Sequence, residues 1–169
     1  LVAAKTDTKA DPPYTGISLI AVEDGTPGFE KGRKLDKIGF KSQDTAEMAF
    51  VDCRVPASNL IGLEGHGFFY LMEERHQERI VCAIICQAAA EEALRLTIDY
   101  TRTREAFGRA ISHFQYISFE LAKMATEVEV GRAFLESLLI DHIEGAKIVK
   151  KASMAKYYGT QVAGDMARD

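Results

Sequence analysis

Nine residues near the middle of the chain, Met72–Glu–Glu–Arg–His–Gln–Glu–Arg–Ile80, gather charge inside an otherwise apolar stretch. An amphipathic helix spreads its charges along one face, yet here both faces are polar for about two turns. Two readings are open. One is a solvated patch at a helix bend. The other is a cleft in which Glu78 serves as a general base, with Leu71, Cys82 and Ile85 one or two turns away and Arg75 three residues before it. Carboxylates flanked by apolar side chains suit that task, because burial favours the protonated form.

A second group is Arg104–Glu–Ala–Phe–Gly–Arg109, with Ser112 and Gln115 just beyond. Guanidinium groups beside a helix N-terminus make an anion site, since the free backbone N–H groups point the same way. The Phe107 ring can cover a planar ligand. The bland alternative is an ordinary turn between helices, with Ser112 and Gln115 as an S-x-x-Q capping box. Both stand on spacing alone.

Other candidates carry less. Cys82 and Cys86 are four apart on a helix but lie in Ile–Val–Cys–Ala–Ile–Ile–Cys with no further ligand, so they read as core packing and no metal site is expected. Cys53 reads as a structural thiol, and His66, His113 and His142 are scattered. Gly62, Gly65 and Gly67 do not have dinucleotide or phosphate-loop spacing and read as a flexible β-to-helix junction.

Elements must position these groups. The chain has 169 residues, about one domain's worth, with 47% hydrophobic and 27% charged residues, which excludes a disordered tail. A net charge of −4 gives no case for nucleic-acid binding. Three cysteines argue against a secreted disulfide scaffold and for a reducing compartment. The longest strictly apolar run, Ile80 to Cys86, is too short to span a bilayer. Leu1 is no initiator methionine and the last helical pattern lacks a stop signal, so the sequence reads as a piece of a longer protein.

All four prolines and eight of the thirteen glycines fall in the first 67 residues. Strands are expected over Gly16–Glu23 and Ala46–Val55, the latter with a bulge at Phe50–Val51, and a shorter one within Lys31–Gly39. A helix is expected over Phe68–Thr103, which has neither Pro nor Gly. After the break, Phe114, Ile117, Leu121, Met124, Val128, Gly131, Leu135 and Leu138 form a seam of alternating threes and fours. Glu144–Gly145 stops that helix, and a third starts near Ala146. The fold class is α+β, a β segment over 1–64 followed by an incomplete up-down helical bundle over 65–169.

Arg–x–x–Phe–Gly–Arg at 104–109, Phe114–Gln115, Leu121–Ala–x–Met–Ala–Thr–Glu and Ala152–Ser–Met–Ala–Lys156 resemble the acyl-CoA dehydrogenase family. So do Gly28–Phe–x–Lys–Gly–x–Lys–Leu–Asp–Lys–Ile–Gly39 and Phe50–Val–Asp–Cys–Arg–Val–Pro–x–x–Asn–Leu–Ile–Gly62. The resemblance covers the whole chain in order. It implies part of a middle antiparallel β domain and the first helices of a C-terminal bundle. It also implies FAD as cofactor, an acyl-CoA substrate and α,β-dehydrogenation of fatty-acid β-oxidation type. Gln77–Glu–Arg–Ile80 resembles the long-chain type, in which the first bundle helix carries the base, so Glu78 takes that role by resemblance. His76, Gln77 and Arg79 would then meet the substrate, residues around Phe69 to Glu74 would line the acyl tunnel, and Arg104, Phe107 and Gln115 would contact the FAD of a neighbouring subunit. The intact enzyme would be a homo-oligomer, dimer or tetramer, passing electrons to an electron-transfer flavoprotein. Its place would be the cytoplasm in a bacterium or the mitochondrial matrix in a eukaryote. Alternatives are an isovaleryl-like or sterol side-chain enzyme, and a non-catalytic acyl-CoA-binding or structural subunit. These 169 residues alone are expected to be inactive, to hold no FAD and to leave the Phe114–Leu138 seam partly open.

Overall fold

The structure, a computed structural model, describes residues 1–168. Internal packing divides the chain into two compact units, Leu1–Met72 and Glu73–Asp169.

The first unit is antiparallel β structure. Strands β1 (Val2–Lys5), β2 (Ile17–Ile20) and β5 (Leu60–Ile61) form one sheet with β2 in the centre. The aliphatic Ile–Ser–Leu–Ile run suits that place, and Ser18 and Leu19 are its buried residues. The buried Ser18 hydroxyl is fully used: it shares a hydrogen bond with Thr6 Oγ1 at 2.7 Å and accepts from the Gly65 N–H at 2.9 Å. That second bond draws the glycine-rich junction onto β2. Gly67 is pressed so close to the backbone of Ile17, Ser18 and Leu19 that a Cβ there would lie 2.8 to 3.0 Å from it. The Leu63 N–H also donates to Tyr70 Oη at 3.1 Å. The junction expected to be flexible is a fixed turn.

Strands β3 (Phe29–Lys34) and β4 (Ala46–Phe50) make a separate hairpin, held at one end by Phe29 stacked on Phe50 with ring centroids 4.9 Å apart. Here the structure corrects three expectations. The second strand ends at Phe50 rather than Val55, because the chain turns through Asp52 at a φ of 47°. The irregularity lies in β3 between Lys31 and Lys34, not at Phe50–Val51. Strands β1 and β5 are additional.

The second unit is helical. Helix α1 (Gly67–Thr103) enters from the first unit, and a two-stranded ribbon, β6 (Glu105–Ala106) with β7 (Arg109–Ala110), follows it. Helices α2 (Gln115–Ile143) and α3 (Val149–Met166) complete the unit. One cluster joins Ile80 and Ala83 of α1 to Leu135 and Leu138 of α2 and to Ala152 and Ala155 of α3. A second joins Ala90 to Met124, Val128, Val162 and Met166. Ascending numbers on α1 thus meet descending numbers on α2, and likewise for α2 and α3, so neighbouring helices run antiparallel.

The expected seam on α2 is this core. Met124, Val128, Gly131, Leu135 and Leu138 are buried and its N-terminal members half-buried, so the seam is covered rather than open. Exposed apolar side chains lie elsewhere, among them Val81, Ile85 and Tyr157. Between the two clusters sits a polar layer. Buried Gln87 donates from Nε2 to the Val128 carbonyl at 3.0 Å and to Glu91 Oε1 at 2.8 Å, and a Cβ at Gly131 would lie 2.5 Å from its Oε1. Tyr158 donates to the Glu127 carboxylate beside it.

Candidate functional site

Helix α1 carries the first group of side chains. Glu78 and Gln77 are exposed, and with Glu74 and Val81 they line an open depression on the helix surface. His76 and Arg79 are half-buried. Periodicity explains the division: Ile80 and Ala83 face the core, so Glu78, about 200° round the helix from Ile80, faces away. Within this unit Glu78 is not enclosed by the apolar residues one turn away, since Val81 and Ile85 are themselves exposed. Among the described residues its carboxylate takes part in no hydrogen bond or ion pair. Arg79 instead reaches α3, where its Nη1 donates to Ser153 Oγ at 2.9 Å.

The second group is gathered at the corner between α1 and α2. The Arg104 N–H closes the last turn of α1 onto the Tyr100 carbonyl, and the Arg104 carbonyl accepts from the Ile111 N–H at 2.8 Å. Between these bonds the chain makes a hairpin whose two turn residues, Phe107 and Gly108, both have positive φ, 55° and 80°. That is the two-residue turn matched to strand twist. Gly adopts it freely; Phe does so with strain. The turn holds the Phe107 ring 98% exposed, edge-on to Phe114 at 6.2 Å. Arg109 covers the Phe114 ring, its guanidinium carbon 4.3 Å from the centroid.

The capping box is not formed. Ser112 lies in a 3-10 turn, Ile111–His113, the N-cap is Phe114 with no side-chain cap, and Gln115 is the first residue of α2. The turn closes by a backbone bond, Phe114 N–H to the Ile111 carbonyl at 3.1 Å, so Ser112 has no helix end to cap. The Gln115 side chain is exposed beside the corner. Arg104, Phe107 and Gln115 therefore offer a guanidinium, an aromatic face and an amide at one corner, a donor set suited to a ligand with phosphates and a flat ring system.

Cys82 and Cys86 are half-buried, and the Cys86 thiol is pushed up, by burial first and then by Cys82. Cys86 packs beside Gly159 of α3. Among the described residues no three His, Cys, Asp or Glu side chains gather as a metal site, and no helix is long and apolar enough to cross a membrane. Two residues of this unit went unnoticed in the sequence as contacts: Ser153, visible only within a family motif, and Arg109, whose spacing to Phe114 has no helical or strand logic.

Residues 65–169 match the family model "Acyl-CoA dehydrogenase, C-terminal domain". The mitochondrial long-chain specific acyl-CoA dehydrogenase of Sus scrofa is 44% identical over 169 residues, covering 100% of this chain and 39% of that protein. Mitochondrial isovaleryl-CoA dehydrogenase of Pongo abelii is 37% identical over 169 residues, 100% of this chain and 40% of that protein. The crystal structure of an acyl-CoA dehydrogenase from Geobacillus kaustophilus superposes with a TM-score of 0.97 at 51% identity, covering 99% of this chain and 44% of that one. The chain thus spans about two fifths of the length of the curated relatives it matches.

Proposed function

This chain belongs to the acyl-CoA dehydrogenase family, and on that premise we propose that it supplies the base and part of the flavin site of an enzyme that oxidises an acyl-CoA thioester between its α and β carbons. We propose 1–64 as part of the enzyme's middle β domain and 65–169 as the first helices of its C-terminal bundle. The observation that carries the reading is Glu78, an exposed carboxylate with no partner among the described residues, on the first bundle helix and directly before Arg79.

The chemistry divides between protein and cofactor. FAD, when bound, supplies the two-electron oxidation, accepting the β hydrogen as hydride. Glu78 takes the α proton, and an unpaired carboxylate is ready to do so without first breaking a salt bridge. His76 and Gln77 would orient the thioester substrate beside it, while Arg79, expected to meet the substrate as well, is engaged with Ser153 Oγ of α3. Arg104 would hold a flavin pyrophosphate oxygen, Phe107 would cover a ring and Gln115 would hydrogen-bond a polar edge. The exposed donor set at the corner fits that role.

Length along α1 supports a shared site. From Glu78 to Thr103 the helix rises 1.5 Å per residue, or about 37 Å. The flavin served by Glu78 and the flavin held by Arg104 of the same chain are then different molecules, as in a homo-oligomer, dimer or tetramer, whose subunits complete one another's sites. Electron-transfer flavoprotein is the proposed acceptor. The proposed location is the mitochondrial matrix for a eukaryotic source and the cytoplasm for a bacterial one. A long-chain acyl-CoA of fatty-acid β-oxidation is the proposed substrate. The likeness to isovaleryl-CoA dehydrogenase keeps a branched short acyl chain as the second reading, and a series of acyl chain lengths separates the two.

Glu78→Gln in the complete enzyme tests the base. Flavin content and acyl-CoA binding should persist while turnover falls by about 10²–10⁴, the share that general-base catalysis supplies. Near-normal turnover would assign the base elsewhere.

A further inference from the structure

A base on a smooth helix raises the question of what aims it. Among the described residues Glu78 has no side-chain partner, so its place follows the roll of its own turn of α1. Ile80, 4% exposed, and Ala83 anchor that part of α1 in the core it shares with α2 and α3. A polar tie on the same turn is Arg79. Successive helical residues do not face each other, so Arg79 projects about 100° from Glu78, toward α3. There its Nη1 meets Ser153 Oγ at 2.9 Å, across 74 residues of sequence.

Ser153 is itself oriented. It donates its proton to the Val149 carbonyl at 2.8 Å, which leaves only lone pairs for the guanidinium. Ser153 lies in the first turns of α3, and that end of α3 is clamped to α2 as well. Lys151 Nζ reaches Asp141 Oδ2 and Ser137 Oγ, each at 2.6 Å. Ala152, between Lys151 and Ser153 in sequence, and Ile148 are buried in the same cluster as Ile80 and Leu138. Arg79–Ser153 therefore couples the turn that carries the carboxylate to a rigid frame.

We propose that Ser153 is a positioning residue for the dehydrogenation, holding the Arg79 guanidinium so that the α1 turn bearing Glu78 keeps one rotational setting. This rests on the assignment of Glu78 as base. The lever is short and the tolerance narrow. Side-chain ends lie about 5–6 Å from the helix axis, so a roll of about 10° moves the carboxylate about 1 Å. A displacement of that size is enough to lower the rate of an aligned proton transfer by up to about 10²-fold.

The test compares four variants of the complete enzyme: Ser153→Ala, Ser153→Thr, Glu78→Gln and the Glu78→Gln/Ser153→Ala double. Alanine is a strong helix former, so Ser153→Ala should fold with unchanged Tm and flavin content. Its kcat should fall about tenfold while KM for acyl-CoA stays within twofold, and Ser153→Thr should restore kcat because it keeps the hydroxyl. In the Glu78→Gln background the serine change should cost nothing more, since there is no base left to aim. Unchanged kcat in Ser153→Ala beside an inactive Glu78→Gln overturns the positioning role and leaves the base assignment intact. An equal further loss in the double variant, or a fall in kcat accompanied by lost flavin or lowered Tm, also overturns it. An active Glu78→Gln removes the assignment itself, and the positioning role with it.

Discussion

Glu78 and Phe107 are both exposed side chains of the helical unit, yet they are held in opposite ways. Glu78 stands on regular helix and owes its place to neighbours: Ile80 in the core and Arg79 on Ser153. Phe107 owes its place to its own backbone, a hairpin turn with φ of 55° followed by Gly108 at 80°. A surface group can thus be aimed by packing a turn away or by local dihedral angles. The two kinds of site should fail differently.

The core-held site should fail hardest. Leu138, 0% exposed, lies in the cluster with Ile80, so Leu138→Ala should destabilise the fold by about 2–5 kcal/mol, read by chemical denaturation. Turnover should fall before flavin is lost, since the cavity opens beneath the Glu78 turn. At the corner, Arg104→Ala should weaken FAD retention by about 10–150-fold, the worth of a hydrogen bond to a charged group of about 1.5–3 kcal/mol. Titration of the apoenzyme with FAD reads it. Stability without flavin should barely change, because among the described residues Arg104 serves the fold through its backbone groups. Unaltered flavin affinity with a lowered Tm would mean that Arg104 merely ends the helix.

Gly108→Ala separates backbone from packing. Nothing lies within 4 Å of where its Cβ would be, so the cost is conformational alone, about 1–2 kcal/mol. Gly108→Asn should cost less, because Asn tolerates positive φ. Equal losses for the two would point to a contact instead. The smallest effect concerns Tyr158, which donates to Glu127 and is pushed up to about 12, by burial first and then by Glu127. The fold favours the neutral phenol, so this contribution is complete below the unfolded value near 10 and is lost as pH rises through about 12. The stability difference between the parent and Tyr158→Phe should therefore narrow between pH 9 and pH 11.5. A gap that widens would reverse the sign.

Long elements were legible and short ones were not. Helix α1 was expected from Phe68 to Thr103 and runs from Gly67 to Thr103, because thirty-odd residues without Gly or Pro leave one regular solution. The α2 seam was legible for the same reason, as period carries over many turns. Strand β5 has two residues, Leu60 and Ile61, and exists through its pairing with β2, which no local pattern announces. The capping box failed because an S-x-x-Q spacing does not say where the helix begins; a backbone-closed 3-10 turn moved that start to Gln115. The hairpin was read only as a break, since phenylalanine at positive φ runs against propensity. Of the candidate site, the charged turn at Glu78 stood out as a break in amphipathic pattern. Ser153 could not, because its partner lies 74 residues away.

Gln87 has one more consequence. Its amide nitrogen is satisfied by the Val128 carbonyl and Glu91, and its oxygen lies over Gly131, where a Cβ would come within 2.5 Å of it. Sliding α1 along α2 by one turn, about 5.4 Å, would keep most apolar contacts but carry this amide into a layer of Leu and Ala. A buried amide without partners costs about 1–3 kcal/mol, and its bulk would meet side chains where it now faces Gly131. The residue acts as a detent: a buried polar stop between two greasy helices that could otherwise slip like a ruler in a sleeve. With that stop in place, the span of about 37 Å between the carboxylate and the hairpin becomes a fixed gauge length, available to set the spacing of whatever is bound at either end.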